Sequence, residues 1–328
     1  MKITKKFKYI IISVVLLAAA IASAAITYGK IKNARQQKRE ESYKVVRITD
    51  GLGNQMFQYA LSLALANESE CEVYHDLSFY GENYQLDAPT VDEMIKDQSL
   101  ANKCAKRKFG LKYFNAHYKV ADKEKIDGCT SHIDETVIRE KGIANFNNGQ
   151  HEYIHDYFET LEHFDYEKYR DIFSKEFALK VDMDEKNKDM LKRIKESNSI
   201  AIHIRRTDHG ILGFTNLKYY DKAVNYMVSK IENPHFFIFS DDINWVKENF
   251  KPDSQYTVVD INDDDTNYFD FELIKNCKHQ IIANSTFSWW AAWLNPNKEK
   301  IVIAPTPWFL KDERNYMMPK DWIRIQED

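Results

Sequence analysis

The segment Asn284-Ser285-Thr286-Phe287-Ser288-Trp289-Trp290-Ala291-Ala292-Trp293-Leu294 constrains the fold more than any other. It follows a short apolar run, Ile281-Ile282-Ala283, that reads as a buried strand. Three small polar residues then stand where a helix should begin. Beyond them Phe287, Trp290, Ala291 and Leu294 recur at the i, i+3, i+4, i+7 spacing of one helix face. A strand, a Ser/Thr loop and a helix start together make an anion site, because free backbone N–H groups, the helix dipole and the hydroxyls converge on one spot. The plainer alternative is an N-cap on a tryptophan-rich core helix.

The same alternation runs through the whole C-terminal half. Ile200–Ile204, Phe236–Phe239, Val258–Val259, Gln280–Ile282 and Ile301–Ile303 read as strands, with helical stretches between most of them. Strands alternating with helices predict an α/β fold with a parallel, doubly wound sheet, and ligands bind such sheets just beyond the strand C-termini. Near the N-terminus Val45–Ile48 reads as a strand and Asp50-Gly51-Leu52-Gly53 as a turn. A helix is predicted from about Asn54, with Phe57, Ala60, Leu61, Ala64 and Leu65 on one face. Residues 70–190 mix short aromatic strands with charged helical pieces. The charged run Val181–Glu196 suggests a helix leading into a second domain, and most of its charges form a solvated face.

With 328 residues, 44% of them hydrophobic, the chain can bury the cores of two ordinary domains. A net charge of −4 gives no electrostatic case for nucleic-acid binding. Cys71, Cys104, Cys129 and Cys277 lack CxxC spacing and read as free thiols, although an even count leaves a disulfide open. Residues 9–28 are uncharged and rich in Ile, Val, Leu and Ala, long enough to span a bilayer as a helix. The rival is a signal peptide cleaved at Ala22-Ser23-Ala24, but the apolar run continues to Ile26, which favours an uncleaved single-pass anchor. Lysines 2, 5, 6 and 8 precede the run, and Lys30, Lys32, Arg35, Lys38 and Arg39 follow it. The slight downstream excess places the globular part on the cytosolic side.

His203-Ile204-Arg205-Arg206-Thr207-Asp208 closes the strand that starts at Ile200. Adjacent arginines at a strand's C-terminal end need anionic partners, and the guanidinium fork matches a pyrophosphate. The alternative is a structural pair with Asp208. Ser240-Asp241-Asp242 and Asp263-Asp264-Asp265 invite a Mg²⁺ or Mn²⁺ reading, against which stands the ordinary solvated acidic loop. His151-Glu152-Tyr153-Ile154-His155 matches the zinc-peptidase pattern H-E-x-x-H, but that pattern needs a helix, and the aromatic residues after it favour a strand. Asp270 stands where a helix leading to the strand at Gln280 would begin. It either reads a base edge or serves as an N-terminal helix charge.

Gly51-Leu52-Gly53-Asn54-Gln55-Met56-Phe57-Gln58-Tyr59-Ala60 resembles the opening motif of the α-1,2-fucosyltransferases, glycosyltransferase family eleven. His203 to Asp208 resembles that family's H-x-R-R-x-D motif, though Thr207-Asp208-His209 stands where Gly-Asp-Tyr is usual. Phe239-Ser240-Asp241-Asp242 with Trp245 resembles its third block. Asn284 to Leu294 resembles its fourth, with Ala291 in place of a more usual Gly. Asp156-Tyr157-Phe158-Glu159 is similar to the family's Gly-Tyr-Phe-Gln segment, and Tyr219 to Ala223 also fits. The resemblance covers roughly residues 45 to 310, in order.

The resemblance implies a GT-B-like architecture of two Rossmann-like domains and transfer of fucose from GDP-L-fucose to O2 of a terminal β-galactoside. The anomeric centre is inverted, and no metal or other cofactor is required. Together with the apolar run and the polar, charged stretch after it, this divides the chain into an anchor (1–29), a stalk (30–43), an N-terminal acceptor-side domain (44–195) and a C-terminal donor-binding domain (196–328). Carried onto this sequence, Arg205 holds the β-phosphate, Arg206 supports it, and Asn284, Ser285 and Thr286 supply donors at the helix start. His203 and Asp270 lie near guanine and ribose, while Asn54 and Gln55 face the cleft. Arg205 and Asp208 are the expected catalytic residues. The compartment is the cytoplasmic face of a membrane in a bacterium or the Golgi lumen in a eukaryote.

Overall fold

The computed structural model describes residues 16–17, 20–34, 42–69, 71–81, 107–146, 150–206, 215–308 and 317–326. Its framework is a pair of parallel sheets. The first has β1 (Tyr43–Arg47), β2 (Glu72–Asp76), β3 (Ser131–Ile133) and β4 (Glu152–Ile154), in the order β2-β1-β4-β3. The second has β5 (Asn198–Ile204), β6 (Pro234–Ser240), β7 (Gln255–Val258), β8 (His279–Ile281), β9 (Val302–Thr306) and β10 (Ile323–Gln326), in the order β10-β9-β8-β5-β6-β7. Every pairing is parallel. The helices of eight or more residues that lie among the strands are α1 (Leu52–Glu68), α2 (Glu185–Lys195), α3 (Leu217–Lys230), α4 (Asn267–Asn276) and α5 (Thr286–Trp293).

Each sheet reverses its winding once. In the second, β5, β6 and β7 run outward in one direction and β8, β9 and β10 in the other, so the reversal lies between β5 and β8. In the first it lies between β1 and β4. Crevices at the carboxyl ends of such strand pairs are where open α/β sheets hold ligands. The strands are apolar because a parallel sheet is covered on both faces. Ile200, Ala201, Ile202, Phe236, Phe237, Ile238 and Ile281 are all buried.

The predicted strands of the C-terminal half and the helix at the Gly-rich turn all form, with ends moved by one to three residues. Helix α5 departs from expectation in its packing. Instead of one apolar face it is enclosed on every side, with Ser288, Trp289, Trp290, Ala291, Ala292 and Trp293 all buried. The cause is a second aromatic layer from residues 164–177, a stretch in which the sequence shows no clear periodicity. Tyr166 contacts Trp289, Trp290 and Trp293, and Phe173 and Phe177 pack on Trp290. On the opposite side Phe57 of α1 lies 4.8 Å from Trp289 and 5.0 Å from Trp290, ring centre to ring centre. Each such side chain contributes roughly 1.5–3 kcal/mol on burial, so this core fixes α1 and α5 against each other.

A second set of contacts joins the halves of the chain. Tyr113 stacks on Tyr268 at 3.9 Å, Phe114 meets Phe271 edge-on, and Lys108 pairs with Asp265.

At the N-terminus residues 16–17 and 20–34 are helical, and Leu16, Leu17, Ile21 and Ile26 are exposed. Among the described residues no helix is long and apolar enough to cross a membrane. The expected span at 9–28 lies partly outside the described residues. Cys71, Cys129 and Cys277 are free thiols, and Cys104 lies outside the described residues.

Candidate functional site

The register of the second sheet brings its two motifs together. Ile202 of β5 is paired with Ile281 of β8. Arg205 is three residues beyond the first and Asn284 three beyond the second, so the arginine motif and the Asn-Ser-Thr loop leave neighbouring strands at the reversal point. The backbone turns at Ser285 (φ −138°, ψ 126°), and α5 starts at Thr286. Ser285 makes no side-chain capping hydrogen bond. The first-turn N–H groups of a helix have no intrahelical acceptor, and at α5 the Ser285 hydroxyl leaves them uncapped. Asn284 is buried, and its side-chain oxygen accepts from the Thr215 hydroxyl at 2.9 Å.

The arginines are held by the third block. Arg205 Nε lies 3.1 Å from Asp241 Oδ2. Asp241 Oδ1 accepts the Arg206 backbone N–H at 2.8 Å. The Arg206 guanidinium carbon lies over the Trp245 ring at 3.6 Å from its centre, with Nε 3.6 Å from Asp242 Oδ2. Asp242 also caps the short helix that follows it by accepting from Trp245 N–H at 3.1 Å. Asp241 and Asp242 thus serve as ion-pair and capping residues. Asp208 lies outside the described residues; among the described residues the aspartates after β6 are carboxylate partners of the arginines.

His203 is buried in β5 beside Phe287, and its Nδ1 has no hydrogen-bond partner among the described residues. Burial, reinforced by the Arg205 charge, pushes its imidazole down to about 4, so the ring is neutral at pH 7. Asp270 is in the first turn of α4 and accepts from Asn262 Nδ2 at 2.7 Å. Burial pushes its carboxyl up to about 7.

From the other half of the chain, α1 meets this loop end to end. The Thr286 hydroxyl donates to Asn54 Oδ1. A Cβ on Gly53 would lie under 3.0 Å from the backbone of Thr286 and Phe287, so only glycine permits this approach of two helix starts. Gln55 is a correction to the expected donor-binding set. It is fully buried, its amide nitrogen donates to the Asp50 and Lys108 carbonyls, and its oxygen accepts from Gly110 and Leu111 N–H. Helical geometry turns adjacent residues about 100° apart, so Asn54 and Gln55 cannot share one face. Gln55 therefore anchors the 107–111 loop while Asn54 faces the crevice.

The other motifs resolve structurally. H-E-x-x-H lies on β4, with Glu152 in a sealed ion pair with Lys44 at 2.8 Å and His151 stacked on Tyr43 at 4.0 Å. Asp263 accepts from Asp265 N–H, Thr266 N–H and the Thr266 hydroxyl, closing a turn. Among the described residues no group of three or more His, Cys, Asp or Glu is placed to hold a metal ion.

Sequence reasoning passed over a cluster at the reversal point of the first sheet. Gln58 binds Thr49 through both amide atoms and donates to the Asp156 carbonyl, tying the turn after β1 to the turn after β4. Asp50 and Phe158 adopt left-handed backbone conformations there, at φ 66° and 56°. Asp50 pairs with Arg107 and accepts from the Tyr157 hydroxyl at 3.4 Å. The turn Asp50-Gly51 and the Asp156–Glu159 segment are each legible in the sequence, but their meeting is not.

A family model described as glycosyl transferase family 11 matches residues 9–326. The chain is 33% identical over 308 residues to an alpha-1,2-colitosyltransferase of Escherichia coli, covering 87% of this chain and 100% of that one. It is 27% identical to the O-antigen biosynthesis glycosyltransferase WbnK of Escherichia coli, covering 85% and 99%. Human galactoside alpha-(1,2)-fucosyltransferase 1 matches at 31% over a shorter stretch, 29% of this chain and 28% of that one. Among solved structures, the NodZ alpha-1,6-fucosyltransferase soaked with GDP-fucose aligns with a TM-score of 0.45 at 14% identity, covering 77% and 92%.

Proposed function

Because the chain belongs to glycosyl transferase family 11, we propose that it transfers L-fucose from GDP-L-fucose to O2 of a terminal β-galactoside, inverting the anomeric carbon. The observation that carries this reading is that the segments bearing Arg205 and Ser285-Thr286 leave neighbouring, registered strands at the β5–β8 reversal. An inverting transfer leaves negative charge on the departing diphosphate. A guanidinium held by Asp241 and an uncapped helix start are preorganised donors for that charge. Arg206, braced on Trp245, supports the phosphate side. Neutral His203 and Asp270 face the nucleoside, and Asn54 reaches the same crevice from α1. Asp208, two residues beyond Arg206 in the sequence, joins the set as a catalytic residue.

In this reading no metal or other cofactor takes part. The two sheets correspond to a GT-B pair of Rossmann-like domains, with 44–195 on the acceptor side and 196–328 on the donor side. Residues 9–28 hold the enzyme at a membrane as a single-pass anchor, on the cytoplasmic face in a bacterium and in the Golgi lumen in a eukaryote. The product is a surface polysaccharide or glycan bearing a terminal 2-linked deoxysugar.

A second donor is favoured by one observation, the match to a colitosyltransferase along its entire length. Incubating the chain with lactose and either GDP-L-fucose or the corresponding colitosyl donor, with and without EDTA, tests both. EDTA-resistant fucosyl transfer supports the first reading, and selective use of the colitosyl donor replaces it with the second. Nucleotide binding without turnover of either donor contradicts the enzymatic reading.

A further inference from the structure

At the carboxyl end of the first sheet one arginine stands without an acid. Arg47 is the last residue of β1, at the edge of the β1–β4 reversal, and is partly buried. Its Nε is enclosed with no hydrogen-bond partner, and among the described residues its guanidinium makes no ion pair. An enclosed donor without a partner is costly, and the guanidinium fork matches a carboxylate or a phosphate.

The register explains why Arg47 stays unpaired. Val46 and Ile48 enter the core built on α1, so Arg47, between them, projects from the opposite face of the sheet. Asp76 of β2 is its cross-strand neighbour on that face. The Asp76 carboxylate is already claimed. Its Oδ2 accepts from the Tyr153 hydroxyl of β4, and its Oδ1 accepts from Ser78 N–H at 2.8 Å. Because β1 lies between β2 and β4, the Tyr153 side chain crosses over Val45 to reach Asp76. That bridge bounds the space around Arg47 on the amino side. On the β4 side Ile154 pairs with Val46, which sets His155 beside Arg47. The His155 N–H donates to the Ile133 carbonyl at 2.9 Å, continuing the ladder to β3. Its ring lies 5.8 Å from that of His132 and 6.0 Å from that of Tyr153, centre to centre. At the amino end the same face is closed by Lys125, whose ammonium lies over the Tyr43 and Tyr74 rings. At the carboxyl end it is open, with His132 exposed and Tyr153 and His155 partly exposed. An open cation flanked by imidazole donors, at the point where the winding reverses, is an anion site in the place where α/β sheets hold ligands.

We infer that Arg47, with His155 beside it, binds an anionic group of the acceptor saccharide, a carboxylate or a phosphate. This rests on the proposed transferase reading and adds a charge to the acceptor named there. Arg47 is six residues before Gly53, which abuts Thr286 and Phe287 at the start of α5. Six residues span at most about 20 Å. One oligosaccharide can therefore present its hydroxyl at the diphosphate crevice and its anionic group at Arg47.

The test uses the full chain with saturating GDP-L-fucose and two matched pairs of acceptors. Lactitol and lactobionate differ by a carboxylate, methyl lactoside and lactose 1-phosphate by a phosphate. The expected wild-type result is a kcat/KM about 10- to 100-fold higher for the charged member of at least one pair, expressed in KM. The pair that shows it identifies the anion. In Arg47→Gln the charged acceptor falls to the level of its neutral partner, while Arg47→Lys keeps part of the preference. Both members of a pair are measured on one preparation, so their ratio does not depend on the fraction folded. A wild type with no preference in either pair overturns the inference and leaves the transferase reading standing. So does a preference that survives Arg47→Gln. A wild-type chain that transfers fucose to none of the four acceptors overturns the fucosyl-transfer reading, and the inference with it.

Discussion

The Thr286 hydroxyl donates to the side-chain oxygen of Asn54, joining the first turns of two helices whose contact residues stand 232 positions apart. That bond fixes the relation between the reversal points of the two sheets, and with it the geometry of the whole site. One residue before Asn54, Gly53 makes the approach sterically possible.

Gly53→Ala should separate these helix starts. The added Cβ meets backbone, which cannot swing aside as a side chain can. Overpacking of this kind costs about 1–3 kcal/mol. The expected result is a melting temperature lower by several degrees, with a larger proportional loss in kcat, measured by calorimetric melting and initial rates on the same preparation. A variant equal to wild type in both would show that the helix starts have room to part.

Gln55→Leu tests the correction made to the expected site. Its amide satisfies two carbonyls and two N–H groups that otherwise stay buried and unpaired. The expected loss is about 2–4 kcal/mol of stability in denaturant titration, with faster amide exchange at residues 107–111. GDP affinity should change little in the fraction that remains folded. A stable variant with selectively lost GDP affinity would return Gln55 to the donor site.

Asp270 gives a pH signature. Its folded-state pKa is raised from 3.8 to about 7 by burial, partly offset by the Asn262 hydrogen bond. A raised acid contributes stability that is fully present below its unfolded pKa and is lost as pH rises through the folded one. Asp270→Asn has no such loss. The stability of the variant relative to wild type should therefore grow between pH 5 and pH 8, read from paired thermal melts. A difference independent of pH would contradict the burial assigned to this carboxyl.

Asp241→Asn should weaken the grip on Arg205 while leaving the guanidinium in place. An ion-paired hydrogen bond contributes about 1.5–3 kcal/mol, so kcat should fall about 10- to 100-fold, with added Mg²⁺ or Mn²⁺ giving no rescue. Rescue by a divalent cation would revive the metal reading of Ser240-Asp241-Asp242.

Much of this architecture was legible in local pattern. The strands of the C-terminal half are apolar runs bounded by polar turns, and parallel sheets covered on both faces impose that pattern. The Asn-Ser-Thr loop and the paired arginines can be read as an anion-site candidate because their chemistry is local to a few consecutive residues. What was hidden depends on contacts distant in sequence. Asn54 and Gln55 look alike in the chain, and only the 107–111 loop, absent from any local pattern, sorts one to the crevice and the other to the interior. Asp241 reads as either a metal ligand or a solvated acid from sequence, and only β6 sets it beside Arg205.

The central claim is that Arg205, Ser285 and Thr286 close around one diphosphate. Isothermal calorimetry of GDP binding to Arg205→Ala and to a Ser285→Ala/Thr286→Val double variant tests it most directly. The account predicts that each weakens GDP affinity, Arg205→Ala by about 10- to 100-fold, and that combining them costs less than the product of the separate losses, as expected for groups sharing one ligand. Wild-type affinity in Arg205→Ala would contradict it.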